Sequence, residues 1–203
     1  METGLDNAGS AAMFLGVLLM QSPQNDAVAE AIEGLFELDL EKEWPYGSRG
    51  ELRDVAALLE DARALSLRDL DREFHHLFVG PQHLEAPPWG SVYLDAEAVV
   101  FGDSCKDLVR WMRRHGIALH EGASREPADQ IGRMLVLLSW ICRNDPSLLD
   151  EYLQRHLLTW APTYLERLQG AASGPFYRAV AKLAALTLEG INAQSINAQR
   201  NAV

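Results

Sequence analysis

EPADQIGRMLVLLSWIC, residues 126–142, decides the fold class. Ile131, Met134, Leu135, Leu138 and Cys142 follow one another in steps of three and four, the spacing that lines one face of an α-helix. Pro127 suits a first helical turn, where a missing amide donor costs nothing, so the spacing predicts a helix opening near Glu126. Downstream, Asp145-Pro146 restarts a helix in the same way, Pro162 kinks or restarts it, and Gly174-Pro175 sets off a last helix from Phe176 to about Leu188. The tail from Ile191 to Gln199 repeats a short polar phrase and is expected to be frayed or only partly helical. Upstream, Asp103 or Ser104 can cap a helix that reaches about His115 and stops at Gly116. Ser66-Leu67-Arg68-Asp69 resembles a capping box opening a helix to about Phe78. Earlier still, Glu51–Leu65, Ala27–Leu38 and Ala11–Met20 read as helices, the last behind a cap at Asn7 or Ser10. The class is all-α: one helical domain over 1–203, ordered over about 11–190, with 191–203 as the tail.

The composition agrees and excludes several functions. The 203 residues can bury one core, and 48% of them are hydrophobic. Eighteen Lys and Arg against 29 Asp and Glu leave a net charge of −11, which argues against nucleic acid, since neutralising phosphates needs a basic footprint. The excess suits a basic peptide, although acidity commonly serves solubility alone. Cys105 and Cys142 sit in apolar helical patterns with no CxxC, as reduced core thiols would. The first residues carry acids where a signal peptide carries bases, and the apolar run 11–20 is too short to span a bilayer. The expected location is the cytoplasm.

Enzyme chemistry finds little to stand on. The six histidines form no HExxH or other standard ligand spacing, so no metal is expected. There is no GxSxG, no GxxxxGK and no GxGxxG, so no catalytic residue and no cofactor are expected. Glu126 and Asp129 read either as first-turn acids that complement a helix dipole or as charges at a groove mouth able to pair with an arginine. The run LFVGPQHLEAPPWGSVYLD, residues 77–95, gathers Phe, Trp, Tyr and three prolines in one long loop. Aromatics held by prolines make a binding surface with few rotamers to freeze, but such a loop can also simply plug the end of a helical core.

That run, followed by VVFGDS at 99–104 and EPADQIG at 126–132, resembles the TorD/DmsD redox-enzyme maturation chaperones, and most closely their DmsD branch. Phe14-Leu15-Gly16, Trp44-Pro45, the run 156–160 and Pro175-Phe176-Tyr177-Arg178 extend the likeness over about Ala11 to Leu188. The resemblance implies a non-catalytic chaperone that binds the twin-arginine leader of a molybdoenzyme catalytic subunit, dimethyl sulfoxide reductase in the DmsD branch, and holds it back from export until its cofactor is inserted. It carries leader binding onto Leu77, Phe78, Trp89, Gly102 and Asp129. Pro88 and Tyr93 would add to an apolar floor and Glu126 to its anionic end. Gln130 stands where the family has histidine, and glutamine can hydrogen-bond but cannot become cationic. A contact with the twin-arginine translocase at the inner membrane face would fit the same role. A chaperone for a nitrate or trimethylamine N-oxide reductase is the sibling alternative. A guanine-nucleotide-dependent factor is the alternative from another class, against which the missing phosphate loop weighs. The Trp160-Ala161-Pro162 break is a hinge at which segments could swap, so a monomer and a swapped dimer both remain open.

Overall fold

The computed structural model of the protein describes residues 2–80, 83–118 and 126–200. Pro81 and Gln82 of the aromatic loop, and His120, lie outside them. The described residues form α1 (Glu2–Met20), α2 (Asp26–Glu37), α3 (Leu40–Glu43), α4 (Arg49–Ala62), α5 (Leu67–Phe74), α6 (Gly90–Leu94), α7 (Asp103–Arg114), α8 (Ile131–Asn144), α9 (Leu149–Tyr152), α10 (Ala161–Ala171) and α11 (Pro175–Arg200). Wide π-type turns at His75–Val79 and Leu153–Leu157 follow α5 and α9, and no strand occurs among these residues. The all-α expectation is met.

At the centre α8 lies along α1, and both are apolar on the faces that meet. Their crossing is close because two glycines face each other. A Cβ on Gly16 would come 2.8 Å from the Gly132 carbonyl oxygen, and one on Gly132 would come 2.6 Å from that of Gly16. α11 closes the other side against α4 and α10, with Phe176, Val180, Leu183 and Ala184 wholly buried. Ser48 and Ser66 form capping boxes with Glu51 and Asp69, which start α4 and α5.

Several boundaries differ from the sequence expectation, each for a local reason. α8 begins at Ile131, not near Glu126. Gln130 is its cap, with extended backbone and a side-chain oxygen that accepts from the Arg133 amide at 2.9 Å. Pro127 is therefore a turn residue, and Glu126 and Asp129 are not first-turn acids. Gly102 rather than Asp103 or Ser104 sits at the head of α7, whose Ser104 amide donates to both oxygens of Asp95, at 3.1 and 3.2 Å. α1 starts well before Ala11. At the other end α11 runs to Arg200, past the expected frayed tail. Its polar turns are held by partners distant in sequence: Gln154 donates to Asn192 at 2.8 Å, Tyr46 to Gln194 at 3.4 Å, and Ser195 to Asp150, while Ile191 is buried. Val92-Tyr93-Leu94 forms the short helix α6.

Candidate functional site

The loop before α6 is tied to the loop before α8 by a two-rung antiparallel bridge between Trp89 and Gln130. The Gly90 amide donates to the Asp129 carbonyl at 3.0 Å and the Ile131 amide to the Pro88 carbonyl at 2.9 Å. This pairing keeps Gln130 extended and delays the helix until Ile131. The two faces of the bridge differ.

On one face lies a cleft of about 420 Å³ lined by Met20, Phe74, Phe78, Glu126, Gln130 and Arg133, among others. Its apolar wall is an aromatic cluster: Phe78 has ring centroids 5.0 Å from Phe74 and 5.4 Å from Tyr177. The π turn carries Phe78 there and ends at Gly80, whose amide donates to the His75 carbonyl at 3.0 Å and whose φ of 84° favours glycine. Val79 on the rim is 58% exposed. Glu126 is half-buried, and its carboxylate accepts from the Trp89 indole Nε1 at 2.6 Å. The Arg133 guanidinium donates to the Glu126 carbonyl. Gln130 is buried; besides capping α8 it donates to the Leu19 carbonyl at 2.9 Å, tying α8 to α1. In this position it braces the cleft wall, and its oxygen and nitrogen already have partners.

On the other face is a smaller polar cavity of about 130 Å³ between α6, α7, the start of α8 and the second π turn, with Gly90, Ser104, Asp129, His156 and Trp160 in its lining. Asp129 is 3% exposed. One carboxylate oxygen accepts from the Ser91 amide at 2.6 Å; the other has no hydrogen-bond partner among the described residues, and neither do Ser104 Oγ and His156 Nε2. Burial, helped by the Asp129 carboxylate, pushes the Cys105 thiol up to about 12. Outward, Asp107, Arg155 and His156 also border a basic cleft with Arg110, Arg113 and Arg114.

The nine residues singled out from sequence thus divide. Phe78, Glu126 and Gln130 share the cleft, and Trp89 reaches it through Glu126. Leu77 and Pro88 are buried, and Asp129 lines the polar cavity. Tyr93 is stacked on Trp160 at 5.6 Å, with the Arg167 guanidinium 5.2 Å above its ring, so it is not part of the cleft floor. Gly102 lies under the Asp95 carboxylate, which a Cβ there would strike, so its role is to admit the group that starts α7. Met20, Phe74 and Arg133 line the cleft without having been expected there. Arg133 carried a signal, as a lone charge early in an apolar helix, whereas Met20 is only the end of an apolar run. Among the described residues no group of three His, Cys, Asp or Glu side chains could hold a metal, and no helix is long and apolar enough to cross a membrane.

Comparison with known proteins gives a consistent set of likenesses. Residues 41–166 match the family described as nitrate reductase delta subunit. The Tat proofreading chaperone DmsD of Salmonella typhi is 37% identical over 192 residues, covering 94% of this chain and 92% of the relative. The chaperone protein TorD of a Psychrobacter species is 30% identical over 115 residues, half of each chain. A solved structure from Archaeoglobus fulgidus, titled as a redox enzyme maturation protein, is similar in fold with a TM-score of 0.58 at 18% identity, over 87% of this chain and 91% of that one.

Proposed function

Because this chain belongs to the nitrate reductase delta subunit family, the TorD/DmsD chaperones of redox-enzyme maturation, we propose that it binds the twin-arginine leader of a molybdoenzyme catalytic subunit resembling dimethyl sulfoxide reductase, delaying its export until folding and cofactor insertion are complete. The observation that carries this reading is the cleft that brings Met20, Phe78 and the pair Glu126 and Gln130 together from three separated parts of the sequence. A leader of this kind offers two guanidinium groups followed by an apolar stretch. Aromatic rings and a carboxylate at one concave site suit that order of chemistry.

The magnitudes are compatible with a working chaperone. A guanidinium over Trp89 or Phe78 is worth ~1–2 kcal/mol when partly desolvated, and a charge-assisted hydrogen bond ~1.5–3 kcal/mol. Apolar burial adds to these, and ordering the leader removes several kcal/mol, which leads to binding in the micromolar range. Such an affinity lets the client go once it has folded. The role needs no catalysis, and it places the protein on the cytoplasmic side of the membrane, with contact at the translocase as a later step.

Calorimetric titration with a dimethyl sulfoxide reductase leader, beside the same peptide with both arginines changed to alanine, tests the proposal. Saturable micromolar binding that weakens with the double change is expected. Tighter binding of a nitrate or trimethylamine N-oxide reductase leader would move the client to that enzyme. Absence of binding to all three would overturn the reading.

A further inference from the structure

Glu126 and Asp129 are the two acids beside the Trp89–Gln130 bridge, and their surroundings assign them different work. Asp129 is 3% exposed and faces a cavity on the far side of the bridge from the aromatic cleft. Its cavity is also lined by Asp107, Arg155 and His156, which together with Arg110, Arg113 and Arg114 border a second cleft. A guanidinium approaching from that side would meet four arginines in the lining of that cleft against the one carboxylate of Asp107, which Arg110 already pairs with. What Asp129 does hold is backbone. Its Oδ2 accepts from the Ser91 amide at 2.6 Å, and its carbonyl accepts from the Gly90 amide at 3.0 Å. Trp89 is the residue before those two amides, and its indole nitrogen donates to Glu126 Oε1 at 2.6 Å on the cleft side. A line of bonds therefore runs from Asp129 through residues 90 and 91 to the Trp89 ring and on to the Glu126 carboxylate.

Resting on the leader-binding reading above, we infer that Glu126 is the acid that meets a leader arginine, while Asp129 is a positioning residue that sets the Trp89 indole, and through it the Glu126 carboxylate, without touching the peptide. The shape of the Asp129 side chain then matters more than its charge. Asparagine keeps an oxygen that can accept from Ser91, whereas alanine removes it. At Glu126 the reverse holds, because glutamine keeps the shape and loses the charge that pairs with arginine.

The test is titration of a dimethyl sulfoxide reductase leader peptide into the full-length wild type, Glu126→Gln, Asp129→Asn and Asp129→Ala at low and high salt. The Trp89 indole N–H resonance is followed in the free proteins, assigned through Trp89→Phe. Glu126→Gln is expected to lose about tenfold in affinity and to flatten the salt dependence, as removal of one charge pair would. Asp129→Asn should stay within about twofold of wild type, keep the salt dependence and keep the indole resonance. Asp129→Ala should shift or broaden that resonance and weaken binding, with the wild-type salt dependence retained. Loss of affinity and salt dependence in Asp129→Asn equal to that in Glu126→Gln would overturn the division, because it would put the Asp129 charge on the peptide. An unchanged indole resonance in Asp129→Ala would overturn its positioning role. If no leader binds the wild type, the chaperone reading fails and the part given to Glu126 fails with it. The resonance of the free proteins still decides Asp129.

Discussion

The cleft of about 420 Å³ on one face of the Trp89–Gln130 bridge and the cavity of about 130 Å³ on the other are built from neighbouring residues, yet they have opposite physical characters. The first is bordered by Val79, 58% exposed, and a half-buried Glu126. The second holds Asp129 at 3% exposure and shares its surroundings with the buried Cys105. A pair of backbone hydrogen bonds is enough to separate them. Three positions of chain therefore move a carboxylate from a place where it can meet a partner to one where it organises a loop. Listing acids near a motif would miss that difference, and experiments that treat the two faces alike can measure it.

The largest effect expected is on thiol chemistry. With its thiol pushed up to about 12, Cys105 presents little thiolate at pH 8. Against an ordinary thiol near 8.5, that is a suppression of roughly a thousandfold, before burial blocks the reagent. A cysteine placed on the cleft rim by Val79→Cys serves as the exposed reference. Native protein should label rapidly at position 79 and hardly at all at Cys105 or Cys142, with all three reacting in denaturant. If native Cys105 reacted within about tenfold of the rim cysteine, the cavity face would have to open readily and the contrast between the faces would collapse.

A packing change comes next. A Cβ on Gly90 would lie 2.8 Å from Trp160 Nε1 and 2.9 Å from its Cε2. That indole cannot easily yield, because it donates to the His156 carbonyl at 3.0 Å and stacks on Tyr93. Gly90→Ala should therefore cost about 2 kcal/mol, an overpacking penalty, and lower the melting temperature by roughly 4–8 °C. Val79→Ala on the cleft rim should cost less than about 0.5 kcal/mol. Equal losses from the two substitutions would mean that the cleft face carries as much of the fold as the cavity face.

The helices were legible in the sequence because their signals are local. The three- and four-residue steps of α8, the serine capping box of α5, and the prolines at α10 and α11 each announce an element within a few residues. The start of α8 was misjudged because Pro127 is a good first-turn residue in isolation, while the amides that decide the matter pair with residues 88–90, far away in the chain. The last turns of α11 failed for the same reason: their polar residues gain partners from Asp150 and Gln154, which no window around 191–200 contains. At the site, residue types were legible and sides were not. Phe78 and Glu126 line one cleft, but Asp129, three positions later, lines the cavity across the bridge, and Tyr93 lies over Trp160. Only the bridge tells these apart, and it is a long-range fact.

The smallest effect expected belongs to His156, which lines the cavity with its ring centroid 5.2 Å from that of Trp111 and 6.3 Å from that of Tyr152. Burial is the main cause holding its pKa below the ordinary 6.5. Arg155 and Arg114 push in the same direction, and Glu151 and Asp107 push against it. A base whose pKa is lower in the folded state binds fewer protons there than in the unfolded chain over the interval between the two values. Stability from this group is therefore complete above about pH 6.5 and declines as the pH falls from there toward the lowered value. Carboxylates across the surface also respond to acid, so the signal is a difference: wild type and His156→Gln, unfolded in urea at steps from pH 7.5 to pH 5. The wild type should lose more stability than the variant on the way down, since glutamine has no proton to gain. Parallel curves would show that His156 takes up its proton in place, with the imidazolium accepted by Glu151 and Asp107. The cavity face would then be wetter and more anionic than its burial indicates, and closer in character to the cleft across the bridge.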